Sequence, residues 1–141
     1  MNRIVVGLGR SDSARRALRW AALRASDSKA ELRVVTVVAD PAPLSPLGVS
    51  WVPFVGQKAR MHRTSLWQAE VLESALVGIP VRPTMSTEVH IGRPDRVLRE
   101  HSCGADLLVL GASERRFRKT IRRCLMSAAC PVVVIAFDQP H

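Results

Sequence analysis

The chain has 141 residues, 47% of them hydrophobic, and a formal net charge of +9. With no long polar or repetitive tract, that length and apolar share suit a single domain spanning residues 1–141 with a buried core of its own. No apolar run reaches the ~18 residues a membrane span needs, and Met1-Asn2-Arg3 leads straight into a strand pattern without a signal-peptide layout, so a soluble cytoplasmic protein with no membrane partner is expected.

The elements alternate along the chain. The apolar run RIVVG (residues 3–7) reads as a strand, and Ser11-Asp12-Ser13 then supplies capping residues for a helix in which Ala14, Ala17, Leu18, Ala21 and Ala22 recur at helical spacing. A β-branched strand follows at residues 31–38. The proline-rich stretch 40–53 reads as an irregular connection to a helix over residues 54–77, closed by Gly78 and Pro80. A weaker strand lies in residues 81–89. Its internal Pro83 cannot donate to a ladder, which places it at a sheet edge.

Gly92-Arg93-Pro94 opens a helix that runs to residue 103, with proline at the first helical position. DLLVLG (106–111) has the look of a buried strand, residues 120–129 form a short helix, and PVVVIAF (131–137) is a last strand. In that short helix, Ile121, Cys124, Leu125 and Ala128 are expected to face the sheet and Arg122 and Arg123 the solvent. The resulting order, βαβαβαβαβ, implies a parallel sheet between helical layers, with any ligand at the carboxyl ends of strands near a topological switch.

Charge is concentrated at the two ends. Residues 1–33 carry eight cations against three anions and residues 111–141 six against two, while the middle is balanced. The turns after Gly7 and Gly111 are therefore both basic, and a fold that joins them would create one positive field able to attract phosphates, nucleic acid or acidic proteins.

Three stretches resemble the universal stress protein family: IVVGLGRSDSARRALRWAA (4–22), GRPDRVLREHSCGADLLVLG (92–111) and CPVVVI (130–135). The resemblance covers nearly the whole chain. It implies a Rossmann-like α/β/α sandwich with a five-stranded parallel sheet of order 3-2-1-4-5, and commonly a homodimer through the last strand. Val132, Val133, Val134 and Ile135 are the expected interface, because an uncovered apolar edge is otherwise an aggregation hazard.

Members that bind ATP resemble one another in a loop G-x2-G-x9-G-[S/T] after the fourth strand, where glycines let backbone N–H groups approach the phosphates. Here Gly111 matches the first glycine, but Glu114 stands at the second. Counted back from Cys130-Pro131, the final pair falls on Arg118 and Lys119, so the loop is about six residues shorter than theirs. The first turn reads Leu8-Gly9-Arg10-Ser11, where binders carry an aspartate in place of Gly9. The resemblance thus implies a non-enzymatic stress-response or regulatory module that has lost ATP binding, with no cofactor and an unidentified protein partner.

The alternative is an atypical nucleotide or phosphometabolite binder using a basic crevice, with Leu8, Gly9, Val38, Gly111, Arg118 and Lys119 around the ligand. Structural readings compete with it throughout. Arg115, Arg116, Arg118 and Lys119 read equally as a solvated helix start, and the GxG of Gly7-Leu8-Gly9 lacks the third glycine of a dinucleotide fingerprint.

Other chemistries lack a pattern. His62, His90, His101 and His141 are scattered without a nucleophile beside them, and His101 near a helix end is expected to be a cation favoured by the dipole. No Cys/His pair has ligand spacing, and Asp95, Glu100 and Asp106 sit on separate turns, so no metal is expected. Cys103, Cys124 and Cys130 are odd in number and lack CxxC spacing, so they read as small buried thiols with no disulfide. Trp20 and Trp67 read as packing residues, and Trp51 with Val52, Pro53, Phe54 and Val55 as a cluster that packs over the sheet or, if exposed, receives a partner. No recognition motif or aromatic platform supports specific nucleic-acid binding.

Overall fold

The first apolar run forms β1 (Arg3–Gly7), and the remaining elements follow as α1 (Asp12–Ser28), β2 (Glu31–Ala39), α2 (Val52–Ala75), β3 (Met85–Gly92), α3 (Pro94–Ser102), β4 (Leu107–Gly111), α4 (Arg118–Ser127) and β5 (Val132–Ile135). The computed structural model describes residues 2–39, 52–112 and 118–135. All five strands are parallel in the order β3-β2-β1-β4-β5, as the resemblance implies. The proline-rich connection with Trp51, and the basic stretch from Ser113 to Phe117, lie outside the described residues.

Strand residues alternate between faces, and the sequence fills both. Ile4, Val6, Leu32, Val34 and Val109 pack on one side with Ala17, Leu18 and Ala21 of α1 and Val71 and Leu72 of α2. Val5, Val35, Leu108 and Leu110 pack on the other with Leu98 of α3 and Cys124 of α4. The alanines of α1 suit this place, since small side chains let the helix lie close to the sheet, and every apolar position read from its periodicity is buried.

Local chemistry sets the helix ends. The Ser11 Oγ accepts from the Ala14 backbone N at 3.2 Å and starts α1, while Lys29 takes the left-handed conformation (φ 55°) and ends it. The Arg19 guanidinium donates to the Ala75 and Val77 carbonyls at 3.0 and 2.7 Å, satisfying acceptors that the end of α2 leaves open. Pro94 occupies the first turn of α3 as expected. Gln68, buried on α2, donates to Thr36 Oγ1 at 3.0 Å and to the Glu88 carbonyl at 3.2 Å, tying α2 to β2 and β3.

Several expectations change. β3 is an edge strand, but Pro83 lies before it begins, so the proline does not interrupt the ladder; β3 is outermost because the chain crosses from it over β2 and β1 to reach β4. Leu125 is 57% exposed, because only Ile121 and Cys124 of α4, with Ala128 just past its end, reach the core. Cys103 is exposed, whereas Cys124 is buried and Cys130 half-buried. Trp20 is 37% exposed on the flank of α1, and Trp67 packs beside the core with the Arg10 guanidinium 4.5 Å over its ring.

Candidate functional site

The sheet order places the topological switch between β1 and β4, whose carboxyl ends are neighbours with Gly7 opposite Leu110. A crevice opens there, lined by Leu8, Gly9 and Ser11 after β1, Val35 and Val37 of β2, Pro94 and Leu98 of α3, Gly111, and Thr120 and Ile121 of α4. Its volume is about 60 Å³, against the several hundred typical of ligand pockets. Its described lining is apolar, with the Ser11 and Thr120 hydroxyls as its side-chain polar groups and no charged residue.

Three sequence-predicted residues, Leu8, Gly9 and Gly111, therefore meet at the crevice. The other three do not line it. Val38 falls on the opposite face of β2 from Val35 and Val37, by strand alternation, and Arg118 and Lys119 are exposed at the start of α4. Arg10, the cation of the first turn, stacks on Trp67.

The glycines of the crevice have different reasons to be glycine. A β-carbon on Gly111 would lie 2.5 Å from the Ser13 carbonyl carbon and 2.6 Å from the Ala14 nitrogen, so the end of β4 runs against the backbone of α1's first turn. A β-carbon on Gly7 would meet Leu110 Cδ2 at 2.8 Å. Among the described residues nothing lies within 4 Å of a β-carbon built on Gly9, so none of them demands a glycine there.

The sequence profile of the universal stress protein family matches residues 1–136. The chain belongs to that family. Among solved structures, the universal stress protein UspA from Lactobacillus plantarum is similar with 25% identity and a TM-score of 0.76, covering 95% of this chain and 97% of that one. A universal stress protein in complex with cAMP shares the fold at 22% identity and a TM-score of 0.67, covering 95% of each chain. One from Archaeoglobus fulgidus in complex with dAMP does so at 22% identity and a TM-score of 0.60, covering 96% of this chain and 98% of that one. No functionally curated protein matches the sequence.

Elsewhere in this universal stress protein domain, titratable groups are tuned by their surroundings. Burial pushes the Cys124 thiol up to about 11, with Asp95 adding to the effect, and burial likewise raises Cys130, so both thiols stay protonated at neutral pH and are poor nucleophiles. Burial opposes ionisation of Asp95, but the Arg93 guanidinium at 3.0 Å and Arg123 at 3.8 Å outweigh it and hold that carboxyl below its ordinary value. Arg93 thus faces the acidic first turn of α3 without capping it.

His101 corrects the expectation of a dipole-favoured cation. Burial lowers its pKa, His90 and Arg33 add to that, and Glu88 only partly compensates, so the ring is neutral at pH 7. It lies against His90 and Glu88, a grouping that the sequence reading missed. The available signal was the Glu-Val-His spacing on β3, which places Glu88 and His90 on one strand face.

Proposed function

We propose that this universal stress protein domain is a non-enzymatic stress-response or regulatory module of the cytoplasm, that it does not hold ATP through its main chain, and that it acts as a homodimer joined along β5. The observation that carries the nucleotide part is the contrast between glycines. The first glycine of the binders' loop, Gly111, is demanded here by the backbone of α1, whereas the two later glycine positions of that loop are occupied by Glu114 and Arg118. Gly111 is thus accounted for by packing and is by itself no sign of a phosphate site.

The small apolar crevice and the outward position of Arg118 and Lys119 support the same conclusion. The protonated thiols support the non-enzymatic part. No helix among the described residues is long and apolar enough to cross a membrane. For the dimer, β5 is the outer strand on its side, and Leu125 and Met126 of the adjoining α4 are 57% and 81% exposed, giving apolar surface that a second copy would cover.

A second reading, an atypical nucleotide binder at the same crevice, draws on the relatives solved with cAMP and dAMP. Its apolar walls would meet a base, with Arg118 and Lys119, exposed at the start of α4, as the source of charge. Calorimetric titration with ATP, cAMP and polyphosphate at two salt concentrations separates the two. The expected result is no heat, or weak heat that disappears with salt, since exposed charges alone are screened. Saturable, salt-tolerant binding of either nucleotide would establish the second reading in place of the first.

A further inference from the structure

We propose that Glu88, His90 and His101 form a binding site for a divalent transition metal of the zinc class at the β3 edge, away from the crevice, with one coordination position open to an adjoining surface cavity. Glu88 and His90 project from the same face of β3, and α3 brings His101 over them near its carboxyl end. His90 Nε2 lies 3.3 Å from Glu88 Oε1 and 3.1 Å from His101 Nε2, and one donor atom from each of the three residues falls within 4.8 Å of the others. A tetrahedral ion with bonds of about 2.0–2.2 Å holds its donors roughly 3.3–3.6 Å apart, so the two separations from His90 are close to the edges of such a polyhedron, and the third, between Glu88 and His101, has to close by a small side-chain movement.

Proton accounting points the same way. His90 Nε2 has two partners within hydrogen-bonding distance but carries at most one hydrogen. If it donates to Glu88, the His101 nitrogen is left sharing that hydrogen. If it accepts from His101, its lone pair faces the Glu88 carboxylate. The remaining approach, His101 Nδ1 to Glu88 Oε2 at 3.9 Å, is too long to be a hydrogen bond. One hydrogen at His90 Nε2 can therefore serve only one of its two partners at a time, whereas a cation can be shared by one donor atom from each of the three residues.

Arg33 supports the site while also weighing on it. Its Nε forms an ion pair with Glu88 Oε2 at 3.4 Å, which leaves Oε1 turned to His90. Its charge is shared with Glu31, 3.6 Å from the guanidinium. The cavity beside the cluster measures about 450 Å³ and is walled by His90, Arg93, Arg96, Glu100 and His101, so a water or small anion has access to a bound ion. Two imidazoles and one carboxylate favour zinc, cobalt, nickel or copper over magnesium and calcium, which take oxygen donors.

The test uses the full chain stripped of metal by a chelator and titrated with Co(II), followed by its visible d–d absorption, and with Zn(II) in competition. One equivalent is expected to bind. His90→Ala and His101→Ala should each weaken it at least about tenfold, and Glu88→Gln, which keeps the shape, about as much. A Cys103→Ser/Cys130→Ser double variant should bind as the parent does. Binding that survives both histidine substitutions, or that is lost in the cysteine variant, overturns the site, as does the absence of stoichiometric binding. Imidazole NMR signals of the unsubstituted protein provide a readout independent of folding defects. With Zn(II), the signals of His90 and His101 should move while those of His62 and His141, identified by His62→Gln and His141→Gln, stay; any other pattern overturns the assignment.

Discussion

Gly111→Ala lowers the unfolding free energy by about 3 kcal/mol, the scale of forcing one carbon into a filled core. For a domain of this size that is a fall of roughly 10 °C in Tm. The added methyl would meet the Ser13 carbonyl carbon at 2.5 Å and the Ala14 nitrogen at 2.6 Å, and both belong to backbone fixed by the Ser11 cap. Neither can yield as the end of a flexible side chain would. Relief requires α1 to move off the sheet, where Ala14, Ala17 and Ala21 hold it by close contact. Gly9→Ala is the control, because no described residue lies within 4 Å of its β-carbon; it should change stability by less than about 0.5 kcal/mol. Urea melts of the two variants without added nucleotide decide the matter. A cost below about 1 kcal/mol for Gly111→Ala would remove the packing explanation for this glycine and return it to the phosphate-binding reading.

Val134→Pro separates the proposed dimer into single chains without unfolding them. Pro131 and Ile135 turn their carbonyls to β4, accepting from Leu108 and Ala112 at 3.0 and 2.8 Å. The alternation of a parallel ladder then points the backbone groups of Val133 the same way and those of Val132 and Val134 outward. A proline at Val134 removes an N–H that only a neighbouring strand outside this chain would use, and open edges tolerate that change. Side-chain substitution at Val133 is a poorer probe, since Val133 and Ile135 pack against the α1–α2 side of the core and a lysine there would disturb the fold itself. Sedimentation should find the parent at twice the mass of one chain and Val134→Pro at that of one. A folded Val134→Pro that still sediments as a dimer rules out pairing through β5.

The fold was legible because its signals are local. Val and Ile runs of strand length, an alanine stripe at helical spacing and a proline at the start of α3 each specify an element, and their alternation specifies the parallel sheet. The site was legible only in part. Gly9 and Gly111 line the crevice at the switch point, but a ligand motif says nothing of the α1 backbone lying against Gly111. Val37, and not the expected Val38, lines the crevice, because adjacent residues of a strand face opposite sides of the sheet. The sequence shows His101 only in its own helix, whereas its state is set by burial first and then by Glu88, His90 and Arg33 on neighbouring strands. Leu125 follows the helical period of α4, yet a ten-residue helix at the margin of the sheet buries a narrower stripe than the period allows.

The two sides of the sheet are unequally furnished, and that inequality has a kinetic consequence. Among the described residues, α1 alone lodges seven buried residues against its side, whereas α4 contributes Cys124. Local openings draw on the least anchored cooperative unit, so the amides of α4 should exchange with deuterated solvent well before those of α1. A partner able to clamp α4 would then slow that breathing without altering the opposite layer.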